Sequence, residues 1–500
     1  MKRFPVISFT CLMVLLSFTA AYAQQKPVYG GSLRVAQGVE PPGLDPTTAT
    51  STAIPRVVYT NVLEGLARID RDGQIAPALT EKYTIARDGK EYTFFLRKGV
   101  KFHDGKPFDA EDVKFTFERL RDPKAGIAHP EYYTDIESVQ ALDSYTVKIK
   151  MKNVNSLFLF NLARPDSIIV NKQAVGKLKT APVGTGPFKF AEWVRGSYIT
   201  LTKFDGYYRK GLPYLDKVTF QFIGDPSAQI ASLKARDIDV IGYDVSPENA
   251  RLLEKDPGYK VLDGNTTNKV ILSTNNSRKP FTDARVRRAM AYAIDRNAII
   301  KGAMAGYGVP IGSHMEPMNP YHVDLLSVYP YNPEKAKQLL KEAGYPNGFD
   351  AVIKLPDRFA YARRTGEIVT DMLARVGIRL KIEVIEWGQW IDRIFKNADY
   401  DLTVIGHGEP FDINIYANPK YYFRYDNPRF QETLKKAWME PDLKARKELY
   451  ATLQRIITED AVNGFLFLMP SLPTMRKEVM NWWKNYPMTA QDVSEVWIQK

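Results

Sequence analysis

Cysteine is nearly missing from this chain: Cys11 is the one example in 500 residues, and it lies in an N-terminal apolar stretch. Disulfides cannot hold the rest together, so a chain of this length must stand on core burial, in two or more lobes. Apolar runs of membrane length are lacking too, because the longest, "VISFTCLMVLLSF" at 6–18, is too short to span a bilayer comfortably. There is no Gly-x-Ser-x-Gly elbow, no His-Glu-x-x-His pair, no Walker loop and no cysteine nucleophile outside Cys11. Hydrolytic chemistry therefore has no positive feature, although a dyad assembled only by folding leaves no such mark. Histidine is sparse, at 103, 129, 314, 322 and 407, with no pair at metal-ligand spacing. No metal site and no cofactor are expected.

What is present begins with Lys2 and Arg3, the apolar run, and the small-x-small pattern Ala21-Tyr22-Ala23 before Gln24. This reads as an export signal cleaved after Ala23, which places the product in the periplasm. Ser8-Phe9-Thr10 before Cys11 does not form a lipoprotein cleavage box. Lysine and arginine exceed aspartate and glutamate, 69 to 57, giving a net charge of +12. The basic residues are interleaved with acids along the whole chain, the mark of a mixed soluble surface and not of a nucleic-acid partner.

Strand and helix signals alternate without a repeat or a low-complexity linker. "GSLRVAQ" (31–37) predicts a first strand, 56–66 a helix-like run, and the Asp88-Gly89 turn a hairpin. The stretch "KFHDGKPFDAEDVKFTFERL" (101–120) sets a histidine beside several acids, and the spacing explains them by capping. Asp109 falls at a helix N-cap, Glu111 and Asp112 in the first turn, Phe108 and Val113 at a hydrophobic staple, and Val113, Phe117 and Leu120 on one stripe. His103 is left as a turn residue. Further on, "VGTGPFKFAEW" feeds antiparallel strands. After 268 the pattern restarts, with the strand "NKVILSTNN", one helix over "FTDARVRRAMAYAIDRNAII", and a helix over "NPEKAKQLLKEAG" capped by Asn332 and stopped by Gly344. A further helix ends at Gly377 and runs into "IRLKIEVI", whose apolar and charged residues alternate. A helix joined directly to such a strand belongs to an α/β layer.

Five stretches, "GVKFHDGKPFDAEDVKFTFERL", "VGTGPFKFAEW", "KPFTDARVRRAMAYAIDR", "NPEKAKQLLKEAGYPNGF" and "VGIRLKIEVIEWGQW", occur in the order and spacing of one family. Together they resemble the family 5 extracellular solute-binding proteins of ABC importers, the dipeptide, oligopeptide and nickel group. The resemblance implies an α/β, two-lobed periplasmic binding fold (type II, cluster C-like) with the ligand between the lobes. It divides the chain into a discontinuous first lobe (24–63, 184–268 and 476–500), an extra subdomain of that lobe (64–183) and a second lobe (269–475). It further implies a monomer that binds a short peptide or similar zwitterion and delivers it to the permease subunits of the inner membrane, with no enzymatic step. Nickel or metallophore complexes, opines and oligosaccharides are the other ligand classes open to it.

A buried zwitterion needs an opposite charge at each end. By resemblance, the ammonium partner belongs to the loop "DLTVIGHGEPFDINIYANP", where His407 replaces a common tryptophan and Glu409 and Asp412 are the acids. The carboxylate partner falls in "LPDRFAYARRTGE", making Arg358 the candidate, with Tyr361 as a stacking neighbour. On the first lobe, Thr50, Ser51 and Thr52 offer hydroxyls and backbone N–H groups, and Gly184, Thr185 and Gly186 do the same. Trp387 is a candidate lining residue, with core packing as its competing role, and Tyr416, Tyr421 and Tyr422 follow the acidic loop.

Overall fold

The computed structural model describes residues 26–243 and 245–500; the expected export signal and Cys11 lie outside the described residues. Three sheets organise the chain. The first has seven strands, in the order Tyr259–Val261, Thr474–Arg476, Val240–Ile241, Ser32–Gln37, Lys217–Phe222, Tyr198–Lys203 and Phe188–Val194. Ser32–Gln37 runs parallel to both its neighbours, and the other pairs are antiparallel. The second has six strands: Val309–Pro310, Gly464–Ser471, Gly264–Thr274, Leu402–His407, Phe349–Pro356 and Ile378–Ile385. A four-stranded antiparallel sheet between Thr80 and Met151 carries the helix Ala110–Arg121. Separate apolar clusters underlie each sheet, which is how a chain free of disulfides holds several units. The chain passes between the two large sheets at residues 262–263 and again at 472–473.

The acids of 101–120 do cap a helix. Asp109 accepts from the Glu111 and Asp112 N–H groups at 2.9 and 3.3 Å, and Asp112 accepts in return from the Asp109 N–H at 3.2 Å. Val113, Phe117 and Leu120 are fully buried beneath it. His103 is a strut: the Gly184 N–H donates to its Nδ1 (3.2 Å), and its Nε2 donates to the Gly186 carbonyl (3.0 Å). Burial lowers its pKa to about 4, consistent with a neutral ring in that tautomer.

Three local expectations change. The 56–66 run is helical only within Ala53–Val58, because Thr60 turns the chain at φ +62°. Asn61 then donates to the carbonyls of Val57 and Gln491 and accepts from the Val493 N–H, which docks the C-terminal tail. The helix expected over 281–300 is two, Ala284–Ala293 and Arg296–Ala303: Ile294 is extended, and Asp295 starts the second by capping the Ala298 N–H. The alternation in Ile378–Ile385 does not make a buried face, for this is an edge strand on which Ile382 and Val384 are exposed.

Gly184 is required by close approach. A Cβ there would lie 1.8 Å from the Val62 carbonyl oxygen, and one on Gly186 2.5 Å from that of Asn61. Gly184→Ala is expected to destabilise the chain by about 3 kcal/mol, read as a fall in the urea midpoint against Gly176→Ala, whose Cβ meets nothing within 4 Å. Equal midpoints for the two variants would contradict this packing.

Candidate functional site

A cleft of about 1280 Å³ lies between the two large sheets. That is larger than the ~300–1,000 Å³ usual for small-molecule pockets. Its second-sheet wall is aromatic. Trp387 and Trp390 stack with centroids 5.0 Å apart at 14°, and Trp390 donates from Nε1 to the Thr403 hydroxyl at 3.0 Å. The turn Trp390–Lys396 is wound as a π-helix, and Trp390, Ile391 and Phe395 from it reach the cleft together with Tyr421 and Tyr422. Tyr361 also lines it, its hydroxyl accepting from the Gly406 N–H at 3.1 Å, and burial pushes that hydroxyl far above the usual phenol range. Arg358, in the turn before the helix Ala360–Ala374, reaches the cleft too, and among the described residues no carboxylate pairs with it. At the rim, Arg364 pairs with Glu248 of the helix Pro247–Glu254, joining the two sides.

The acidic loop is held by a residue that motif reading passed over. Lys269, fully buried in Gly264–Thr274 opposite His407, donates to the Glu409 carbonyl at 2.7 Å; its Nζ lies 2.9 Å from Asp412 and 3.9 Å from Glu316. His314 Nε2 is 3.2 Å from Asp412 and its Nδ1 meets the Tyr416 hydroxyl at 3.0 Å; His407 Nδ1 is 3.7 Å from Asp412 and its Nε2 meets the Tyr422 hydroxyl at 2.8 Å. Burial acts to raise the Asp412 carboxyl, but Lys269 and the histidines hold it well below the usual carboxylate range. Burial raises Glu316 and lowers His314, and burial together with His314 lowers His407 to about 3. Donor atoms of His314, His407 and Asp412 fall within 4.8 Å of one another, an arrangement that sequence spacing had not revealed and that matches metal-ligand chemistry. The Lys269 ammonium already answers Asp412, however, and a divalent ion there would face it.

The candidates separate accordingly. Arg358, Tyr361, Trp387, His407, Glu409 and Asp412 all line the main cleft, but Asp412 is committed to Lys269, whereas the Glu409 side chain is 74% exposed. Thr50, Ser51 and Thr52 line a smaller cavity of about 130 Å³ that shares Gly408 and Glu409 with the main one. Gly184, Thr185 and Gly186 line neither. The glycines are wedged against the backbone of 61–62, and the buried Thr185 hydroxyl donates to Glu64 at 2.9 Å. Of the tyrosines that follow the acidic loop, Tyr421 and Tyr422 line the cleft, whereas Tyr416 is fully buried and does not. One signal for Lys269 was legible: a lone lysine inside the apolar strand "NKVILST" needs a buried partner.

Replacing Lys269 by Met strands Asp412 and is expected to cost about 3–5 kcal/mol. Adding Asp412→Leu should restore most of that loss in urea denaturation, and simple additivity of the two costs would contradict the pairing. Acid should also act on the fold. His103 and His407 have native pKa values of about 4 and about 3 against an ordinary 6.5, so the unfolded chain binds protons first. Thermal stability is therefore expected to be flat above pH 7 and to fall as pH drops from 6.5 toward 4. A His407→Gln variant should show a shallower fall; an unchanged slope would contradict a neutral buried ring.

The model of a family described as bacterial extracellular solute-binding proteins, family 5 Middle, matches residues 74–427. A glutathione-binding protein of Escherichia coli K12, GsiB, is 34% identical over 359 residues, 71% of this chain and 70% of that protein. Among solved structures, the periplasmic binding protein AgaA of A. tumefaciens R10 in complex with agropinic acid superposes with a TM-score of 0.72 at 30% identity, covering 94% of this chain and 99% of that one. The binding protein DppA of Helicobacter pylori, in complex with the peptide STSA, gives 0.73 at 28% identity over 95% and 99%.

Proposed function

This chain belongs to the bacterial extracellular solute-binding proteins of family 5, and on that premise we propose that its cleft captures a short peptide, or a zwitterion of similar size, and hands it unaltered to the permease of an ABC importer. The observation that carries this reading is the presence, in the lining of one cleft, of Arg358 with no carboxylate partner among the described residues, the exposed acid Glu409 and the stacked Trp387–Trp390 pair. Arg358 receives the ligand's carboxylate, Glu409 answers its ammonium, and the stacked rings take its apolar parts. Residues 262–263 and 472–473 serve as the hinge about which the lobes close. The export signal is removed after Ala23, so that capture takes place in the periplasm. The relatives bind glutathione, agropinic acid and a tetrapeptide by name, and these ligands define the panel to test.

A ligand of this site is expected to raise the melting temperature by mass action, equivalent to about 2.7 kcal/mol at a hundredfold excess over Kd, and to be recovered intact. Arg358→Ala should weaken a free-acid peptide by roughly ten- to a hundredfold while changing its C-terminal amide little, both by calorimetry. Equal losses for acid and amide would remove Arg358 from the carboxylate role, and turnover of the solute would remove the receptor reading.

A further inference from the structure

The outermost strand of the second sheet, Ile378–Ile385, alternates apolar and charged residues from Ile378 to Val384, and among the described residues no strand pairs with its outer edge. It runs parallel to Phe349–Pro356, with Phe349 opposite Ile378 and Pro356 opposite Ile385. At the two ends of that ladder the Phe349 N–H donates to the Gly377 carbonyl at 3.1 Å and the Asp357 N–H to the Ile385 carbonyl at 2.9 Å. The odd-numbered residues therefore turn their backbone groups inward, and Leu380, Ile382 and Val384 turn theirs to the open edge. The same stretch leaves apolar surface uncovered, for Ile382 is 37% and Val384 55% exposed. On the opposite face Lys381 and Glu383 stand 3.2 Å apart, both open to solvent. The strand has no proline and its register with its neighbour is unbroken, so of the usual protections of an edge only its charges remain.

We propose that this edge pairs antiparallel with the same edge of a second copy of the chain, about a two-fold axis through Ile382, in place of the monomer that the family resemblance implies. The phase of the backbone groups requires even-numbered residues opposite even-numbered ones, so the axis falls on a residue and not between two. The order of charges then selects the residue. An axis through Lys381 or Glu383 would set a like charge against itself, and one through Leu380 would set Arg379 against Lys381. With the axis on Ile382, that residue exchanges both backbone hydrogen bonds with the partner's Ile382, and Leu380 does so with the partner's Val384. Lys381 stands opposite the partner's Glu383 and Glu383 opposite the partner's Lys381, two ion pairs at the close positions of the ladder. On the other face Leu380, Ile382 and Val384 meet their copies and remove from water the apolar surface that a single chain leaves bare. A contact of one short strand is small, so the association is weak and reversible.

The test is sedimentation velocity of the purified protein from about 2 to about 200 µM, a range chosen for a weak interface. The wild type should sediment as a monomer at the low end and shift toward a dimer at the high end. Lys381→Glu and Glu383→Lys each place like charges opposite one another at both close positions, and each should raise the dimer Kd about tenfold or more. An equimolar mixture of these two variants should regain wild-type association, because one chain then presents two acids and the other two lysines, although neither keeps the pair within its own strand. Ile382→Lys, which sets lysine against lysine on the axis, should stay monomeric throughout. All three substitutions are on the open edge, and melting temperatures equal to that of the wild type separate lost association from lost fold; if one variant does not fold, the other two still decide. A wild type that is monomeric over the whole range overturns the proposal, as does a dimer that survives Ile382→Lys. A mixture of the two charge variants that fails to associate overturns it too, whatever each does alone.

Discussion

A fully buried ammonium is the constraint from which the site follows. Lys269 stands in the middle strand of the second lobe's core, where an unmatched charge would cost several kcal/mol. Asp412 meets it at 2.9 Å, the Glu409 carbonyl takes one of its protons, and Glu316 lies just beyond. Once these contacts are made, the segment after Leu402–His407 cannot wander. Phe411 is held at φ +58°, a costly conformation for a bulky residue. Its ring packs 4.5 Å from Phe160 and 5.9 Å from Tyr321, between the two halves of the molecule. Gly408 and Glu409, which border both cavities, take their positions from this pinned loop.

The same economy of charge assigns the remaining polar groups. Asp412 stands against His314, His407 and the lysine, which together bury the inner end of the loop. Arg358 has no carboxylate partner among the described residues, and Glu409, its side chain 74% exposed, lies 3.9 Å from Arg164 Nη1. Contacts between the lobes are both polar and apolar: Arg364 with Glu248, Arg164 with Glu409, the Arg251 Nε donating to the Ala305 carbonyl at 2.9 Å, and the Phe411 ring against Phe160. Exposed ion pairs of this kind contribute little.

How much of this could be read in the residues depended on distance along the chain. The cap at Asp109, the staple, the stop at Gly344 and the strand after Gly377 are local, and each stands where its sequence pattern put it. The family resemblance carried Arg358, His407 and Glu409 to the cleft because motif order encodes position in a fold. Contacts between remote segments were not legible: Lys269 with Glu316 and Asp412, His103 with the backbone of 184–186, Asn61 with the tail at 491–493. Gly184 and Gly186 illustrate the limit well. A glycine that allows a backbone to approach a ligand and one that allows two backbones to meet look alike until the partner, here 61–62, is in place.

The central claim is that two lobes shut over an intact solute whose charged ends they neutralise. Small-angle X-ray scattering with and without a bound peptide tests it most directly. The account predicts a smaller radius of gyration on saturation, reversed when the chemically unchanged peptide is dialysed away. An unchanged radius in the presence of a peptide that calorimetry shows to be bound would contradict it.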